Sequence, residues 1–232
     1  MKLTTAKSEI QRWGLLPFAY DCAMSRLKRW VTLCAVNVRP LYKNPDLPRL
    51  APEREVRMVS TDELIVASAD PIYDLDPDFI KKAQGRGELC MAVFEGGKIL
   101  AYLWRTFAST GHEKGLWVHF DERYVYGFKA FTHPDYRQQR LQHSLSYTFD
   151  TLLRERGYSH CIAFIETHNF PSLISDKKRG HRRVGYAGYL TLFGRVIPFR
   201  TPGARRHGFG FFPSVKPAVS DSPRPATKQS AR

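Results

Sequence analysis

Residues 125–132 are aromatic and β-branched without a helical period, which predicts a strand that Pro134 and Asp135 end with a turn. Beyond Arg137 the period changes. Leu141, Leu145, Thr148, Phe149 and Leu152 recur at three- and four-residue intervals, which predicts a helix from about Arg137, stopped by Gly157. The apolar run 160–167 predicts a second, buried strand. A helix joining two strands of one sheet predicts parallel pairing, with the helix as the crossover. A short helix then opens at Pro171 and closes at Gly180.

The flanking pattern is that of a meander. Residues 89–94 and 98–107 read as strands joined through Glu95-Gly96-Gly97-Lys98, a hairpin signal. Residues 31–38 and 57–59 read as further strands, 117–120 as another or as a bulged lead-in to the Val125 strand, and 184–193 with 196–199 as a hairpin turning at Gly194-Arg195. Phe209, Phe211 and Phe212 form a final strand or a strip packed on the sheet. Ser60 with Glu63 is a capping box, and Asp76 before Pro77 is a second helix start. The fold class predicted is α/β, with a central, mostly antiparallel mixed sheet, one parallel βαβ pair and helices on both faces.

Composition changes this picture in three ways. The 43% apolar content of the 232 residues is enough for a sizeable core in one domain with extensions. A formal charge of +14 favours anionic partners. Cys22, Cys34, Cys90 and Cys161 are widely spaced, which suggests neither a disulfide framework nor a metal site, and a reducing cytoplasm is the simplest setting. No secretory signal or membrane span is read. Within residues 1–30, Phe18, Cys22, Leu27 and Trp30 alternate with Arg26, Lys28 and Arg29. That segment is a helix packed on the domain or a basic peripheral contact with an anionic membrane.

The candidate chemistry lies at two turns. A helix N-terminus offers unpaired N–H groups and the positive end of a dipole, and Arg137, Gln138, Gln139 and Arg140 crowd the predicted one, a seat for a phosphate or pyrophosphate. The second strand ends in Glu166, Thr167, His168 and Asn169. Ligands of parallel sheets bind beyond the carboxyl ends of strands, so the two turns are expected to flank one crevice. Glu166 and His168 lie two apart on that strand end, and imidazole is the side chain suited to proton transfer near neutrality. These two are the candidate catalytic pair, beside the alternative that His168 only bonds a loop carbonyl. Glu122, Tyr126, Tyr186 and Tyr189 are weaker candidates. The acids Asp70, Asp74, Asp76 and Asp78 either attract a cationic amine or serve as helix starts.

The run Thr132, His133, Pro134, Asp135, Tyr136, Arg137, followed by a helix, Asn169, Ser172 and Gly180, resembles the GNAT superfamily of acyl-CoA-dependent N-acyltransferases. The chain departs from that pattern at Gln138, Arg140 and Gln142, where the family has small residues. It departs again at Asp176, where a tyrosine acid is usual, and at His181, where the family has Phe. The resemblance implies that the backbones of Phe131 and Thr132 line the pantetheine arm. Arg137, Gln138, Gln139, Arg140, Leu141 and Gln142 then surround the pyrophosphate, and Asn169 and Ser172 meet the pantetheine side. It implies a co-substrate, acetyl-CoA or another acyl-CoA, no metal, and an amine acceptor of unknown identity. A homodimer remains open, and nucleic acid is not expected as a partner of such an enzyme. The organisation read is an N-terminal helix, strand and linker over 1–52, a GNAT-like domain over 53–212 and a disordered tail over 213–232. The rival reading is a catalytically degenerate fold that binds nucleic acid or a protein through the basic cluster Lys177, Lys178, Arg179, Arg182 and Arg183.

Overall fold

The computed structural model describes residues 10–11, 14–42 and 50–213. The expected tail, beyond its first residue, and the Pro48 part of the linker lie outside the described residues. In chain order the elements are α1 (Leu15–Leu27), β1 (Val31–Pro40), β2 (Arg54–Met58), α2 (Thr61–Ala67), α3 (Pro77–Gly85), β3 (Leu89–Glu95), β4 (Lys98–Thr106), β5 (Thr110–Gly111) and β6 (Leu116–His119). There follow β7 (Tyr124–Thr132), α4 (Leu141–Glu155), β8 (His160–Glu166), α5 (Phe170–Lys178), β9 (Arg182–Leu192), β10 (Arg195–Arg200), α6 (Pro202–Arg206) and β11 (Gly210–Pro213). The mixed α/β class expected from the sequence is the class observed. The chain forms two compact units, the first from residues up to 39, 111–121 and 162–213, the second from 40–110 and 122–161.

The second unit is an antiparallel sheet in the order β7-β4-β3-β2. Its β3–β4 hairpin turns at Gly96 (φ 55°) and Gly97 (φ 82°), left-handed positions that glycine adopts without a Cβ clash. Helices lie on both faces because alternate strand residues are apolar on both. On one face α4 sets Leu141, Leu145, Phe149 and Leu153, spaced four apart, against Met91, Val93, Leu100 and Leu103. Each of those buried side chains contributes about 1.5–3 kcal/mol. On the other face α2 and α3 bring Leu64, Ile80 and Ala83 to Cys90, Ala92, Phe94, Tyr102 and Trp104. The expected capping box is made, with the Glu63 N–H donating to Ser60 Oγ (3.3 Å) and the Ser60 N–H to Glu63 Oε2 (2.9 Å).

The first unit is built on the antiparallel order β10-β9-β1-β8. β1 is an interior strand, registered on β9 from Val31↔Leu190 to Ala35↔Tyr186. The Thr167 N–H donates to Leu33 O (2.9 Å), continuing the β8 side. The β9–β10 hairpin turns at Phe193 (φ 50°) and Gly194 (φ 76°), one residue earlier than the sequence suggested. Placing both left-handed residues between Leu192 and Arg195 gives the two-residue turn that matches strand twist. β6 and β11 form a second antiparallel pair, from Gly210↔His119 to Pro213↔Leu116. Cys34, Val36, Ala187, Tyr189, Phe209 and Phe211 fill the core of this unit.

His112 packs among Phe164, Tyr189 and Phe211. Burial pulls its imidazole below the ordinary value, against the weaker pull of Glu113 and Glu166. The unfolded chain takes up that proton near pH 6.5, the folded chain only at lower pH, so the folded state loses stability as pH falls below about 6.5. His119, depressed by burial as well, adds a slope of the same sign. Melting temperatures between pH 8 and 5.5 should therefore decline toward acid, and His112→Gln should decline less. Parallel slopes for the two proteins would remove His112 from that account.

Candidate active site

In the second unit β7 carries a bulge shortly before its end. Tyr102 opposes Phe131 and Trp104 opposes Phe128, so Lys129 and Ala130 face Leu103 alone, and Lys129 takes φ 44°. Such an insertion bends a strand and re-aims the residues beyond it, here Phe131 and Thr132. The chain then passes through His133, whose N–H donates to Leu100 O (2.8 Å), and a 3₁₀ turn over Pro134–Tyr136. His133 is buried and its Nδ1 accepts from the Asp135 N–H (3.4 Å), which anchors the start of the turn.

The helix does not begin at Arg137 as the period suggested. Gln138 (φ 68°) and Arg140 (φ 56°) both stand in the left-handed region, so α4 starts at Leu141 with Arg140 as its N-cap residue and no side-chain cap bond. Residues 137–140 are therefore a loop before the first helical turn. The positions where the GNAT pattern has glycine are the two that need a positive φ here, and polar side chains occupy them at about 1–2 kcal/mol each. Relieving that strain, less the extra freedom of glycine in the unfolded chain, should make Gln138→Gly and Arg140→Gly each more stable by about 0.5–1 kcal/mol. A denaturant titration that finds either variant destabilised would contradict the loop geometry.

Gln142 turns its amide back toward the strands. Nε2 donates to Phe131 O (2.5 Å) and lies 3.1 Å from Tyr102 O and 3.3 Å from Thr132 Oγ1. Its Oε1 is buried without a partner among the described residues. That carbonyl is an acceptor held in reserve, at a cost of about 1–3 kcal/mol while unmet.

In the first unit the end of β8 brings Glu166 and His168 together. His168 Nε2 stands 3.1 Å from Glu166 Oε2, and Nζ of Lys28, the C-cap residue of α1, stands 3.5 Å from Oε1. The carboxylate is thus shared between a cation and an imidazole, which fixes the ring and directs the Nε2 proton at Glu166. His168 Nδ1 is buried without a partner among the described residues. The pair borders a depression of about 420 Å³ that also takes in Pro17, Phe18 and Asp21. Asn169 Oδ1 accepts from the Ser172 N–H (3.2 Å), the N-cap of α5, and both residues are held by that bond.

Neither Asp176, at an altered family position, nor Tyr189 is a free acid. Asp176 is buried and accepts from Asn37 Nδ2 (2.9 Å) and Arg179 Nη2 (3.3 Å), with His181 Nδ1 2.9 Å away, so it ties α5 to β1 and to the start of β9. Tyr189 is buried, and burial with the Glu113 carboxylate pushes its hydroxyl up, away from proton donation near neutrality. Tyr126 is buried in the second unit and Tyr186 is half-buried. Three of the acids near α3 are already engaged. Asp70 accepts from the Ile72 N–H (3.0 Å), Asp76 from the Asp78 N–H (2.7 Å), and Asp74 pairs with Lys129 Nζ at 3.1 Å. Burial raises the thiols of Cys34 and Cys90, which disfavours thiolate at either.

Phe131, Thr132 and Arg137 to Gln142 thus lie in one unit, and Glu166, His168, Asn169 and Ser172 in the other. Lys28 and the inward turn of Gln142 escaped the sequence reading. The first is remote in sequence from its partner, and the second depends on a strand bulge that leaves no periodic trace. Among the described residues no group of three His, Cys, Asp or Glu is arranged to hold a metal, and no helix is long and apolar enough to cross a membrane.

No family model matches the chain, and no curated protein matches it. Among solved structures it is similar to a GCN5-related N-acetyltransferase from Kribbella flavida (12% identity, 78% of this chain and 63% of that one, TM-score 0.44). It is also similar to a tandem GNAT protein from the clavulanic acid biosynthesis pathway (12%, 84% and 57%, TM-score 0.49) and to a Drosophila protein (13%, 72% and 55%, TM-score 0.46). The chain thus spans between about half and two thirds of the length of these three. Identities this low leave activity to be argued from the chain's own residues.

Proposed function

We propose that the protein is an N-acyltransferase that moves an acetyl or related acyl group from acyl-CoA to a primary amine by direct transfer. The observation that carries this reading is the 137–140 loop. It keeps two left-handed positions without glycine and leaves the N-terminus of the 15-residue α4 without a side-chain cap. Strain at non-glycine residues persists where the surrounding structure over-determines it, commonly at ligand clamps. An uncapped helix start with arginines beside it suits a diphosphate.

The residues present fit the rest of such a co-substrate. Gln142 Oε1, buried and unmet, can accept an amide N–H of a pantetheine arm, and the bulged end of β7 re-aims the Phe131 and Thr132 backbone. Acyl-CoA supplies an activated thioester, so that an N–C bond forms as a C–S bond breaks. Of the chain's own groups, His168 receives the amine proton at Nδ1, its Nε2 proton being directed at Glu166. Arg137 and Arg140 offset the phosphate charge.

Acetyl-CoA should raise the melting temperature of the whole chain, and thiol release should depend on an added amine. Arg140→Glu should raise the KM for acetyl-CoA by about tenfold or more, through loss of a charge-assisted bond and addition of a like charge. This variant is cleaner than Asn169→Ala, which also costs the α5 cap about 1 kcal/mol. Unchanged KM in Arg140→Glu, or no thermal response to acetyl-CoA, would overturn the reading.

A further inference from the structure

The two faces of the first unit's sheet are unequal. On one, Thr32, Cys34, Val36, Ala187 and Tyr189 are buried. On the other, the rows Val31–Leu190–Ile197 and Leu33–Gly188–Phe199 run across β1, β9 and β10, and Ile197 and Phe199 remain 49% and 37% exposed. A sheet face left to water is ordinarily polar, so an apolar one points to an occupant. Gly188 lets the Phe199 ring lie close on β9, since a Cβ there would run into that ring and into Thr32 O. α5 forms the facing wall with Leu173 and the 40%-exposed Ile174, enclosing an open trough of about 1010 Å³, the size of a small-molecule site.

The rim decides what the trough accepts. Lys177, Arg182 and Arg183 stand along it. Arg183 Nη1 donates to Tyr186 Oη (2.8 Å), which holds its guanidinium at the edge, whereas Lys177 and Arg182 have no carboxylate partner among the described residues. The one acid in the lining, Asp176, is engaged by Asn37, Arg179 and His181 and offers no counter-charge.

We infer that this trough binds a single-chain amphiphile with an anionic head. Its chain lies along Leu33, Leu173, Ile174 and Phe199, and its carboxylate or phosphate meets Lys177, Arg182 and Arg183. A cationic amphiphile would meet three like charges, and a flat bilayer surface would not enter the recess. The site lies wholly within the first unit, and its occupation does not depend on the acyl-transfer reading.

The test is displacement of a bound fluorescent fatty acid from the full chain by decanoate, decyl phosphate, decylamine or decanol, each below its micellar concentration. Decanoate and decyl phosphate should displace the probe at concentrations about tenfold or more below decylamine. Their order with respect to each other identifies the head group preferred. Lys177→Glu/Arg182→Glu should weaken the two anions by about tenfold or more and close the gap to decylamine. Ile174→Glu, at an exposed position that leaves the core intact, should weaken all four ligands, with melting temperature and far-ultraviolet dichroism unchanged. Equal displacement by anion and cation, insensitivity to both variants, or sedimentation with anionic vesicles without any displacement by monomeric decanoate would overturn the inference. Arg140→Glu should leave these titrations unaltered, so failure here and failure of the acyl-CoA reading are separable.

Discussion

His168→Ala is expected to lower kcat for amine-dependent thiol release by about 10²- to 10⁴-fold, the range lost when a positioned general base is removed. The KM for acetyl-CoA should change little. The expectation follows from what holds the ring. Glu166 Oε2 stands 3.1 Å from Nε2, Lys28 holds the other carboxylate oxygen, and Nδ1 is left buried and unmet. A structural histidine would ordinarily have both nitrogens paired, because an unmet buried polar atom costs about 1–3 kcal/mol. For the same reason the alanine variant should fold at least as well as the parent, and a melting curve distinguishes lost chemistry from lost structure. Glu166→Gln, which keeps the shape and loses the charge, should retain more activity than His168→Ala, as befits a group that orients the ring. Full activity in His168→Ala would assign the residue to the fold and leave the proton path to water.

The second large effect concerns the fold. Gly185→Ala and Gly203→Ala are each expected to destabilise the protein by about 3 kcal/mol or more, through overpacking and the hydrogen bonds it breaks. α6 rests on β9 backbone to backbone. A Cβ on Gly185 would run into Ala204 N and Thr201 Oγ1, and one on Gly203 into Val184 O. Backbone atoms cannot rotate out of the way as a side-chain end can, so the helix must lift. In lifting it loses the bonds between Thr201 and Tyr186, where the Tyr186 N–H donates to Thr201 Oγ1 (2.9 Å) and the Thr201 N–H to Tyr186 O (2.9 Å). For a chain of this length the drop in melting temperature would be roughly 6–12 °C. Gly85→Ala is the control. It lies in α3 with open space around its Cβ and no positive φ, and it should gain up to about 1 kcal/mol from helix propensity. Wild-type melting in Gly185→Ala would mean that α6 does not sit against β9.

Where sequence reading succeeded, the information was local. The α4 stripe, the Gly96-Gly97 hairpin, the Ser60–Glu63 capping box and the Asp76 helix start each rest on residues a few positions apart, and the chain adopts each of them. The Glu166–His168 contact was half legible. Two residues of one strand end, Glu166 and His168, were bound to share a side, but the lysine that holds the carboxylate caps the end of α1, more than a hundred residues away.

The start of α4 shows the limit from the other side. Arg137, Gln138 and Arg140 read as helix formers, and propensity gave no reason to expect two left-handed residues among them. The cost of about 1–2 kcal/mol at each is met by anchoring on either side of the loop, at His133 and along the buried stripe of α4.

Periodicity and turn chemistry thus determined which segments are strands and helices, because those depend on backbone preferences and on which side of an element is apolar. Only the tertiary structure decided that β1 lies inside a sheet with β9, that Gln142 turns inward with one oxygen unmet, that Asp176 is a buried tie and not an acid, and that an apolar sheet face stays open beneath a basic rim. Each of these depends on contacts between residues far apart in the chain or on a shift of strand register. The free energy of such contacts comes from desolvation and packing that no single segment carries by itself.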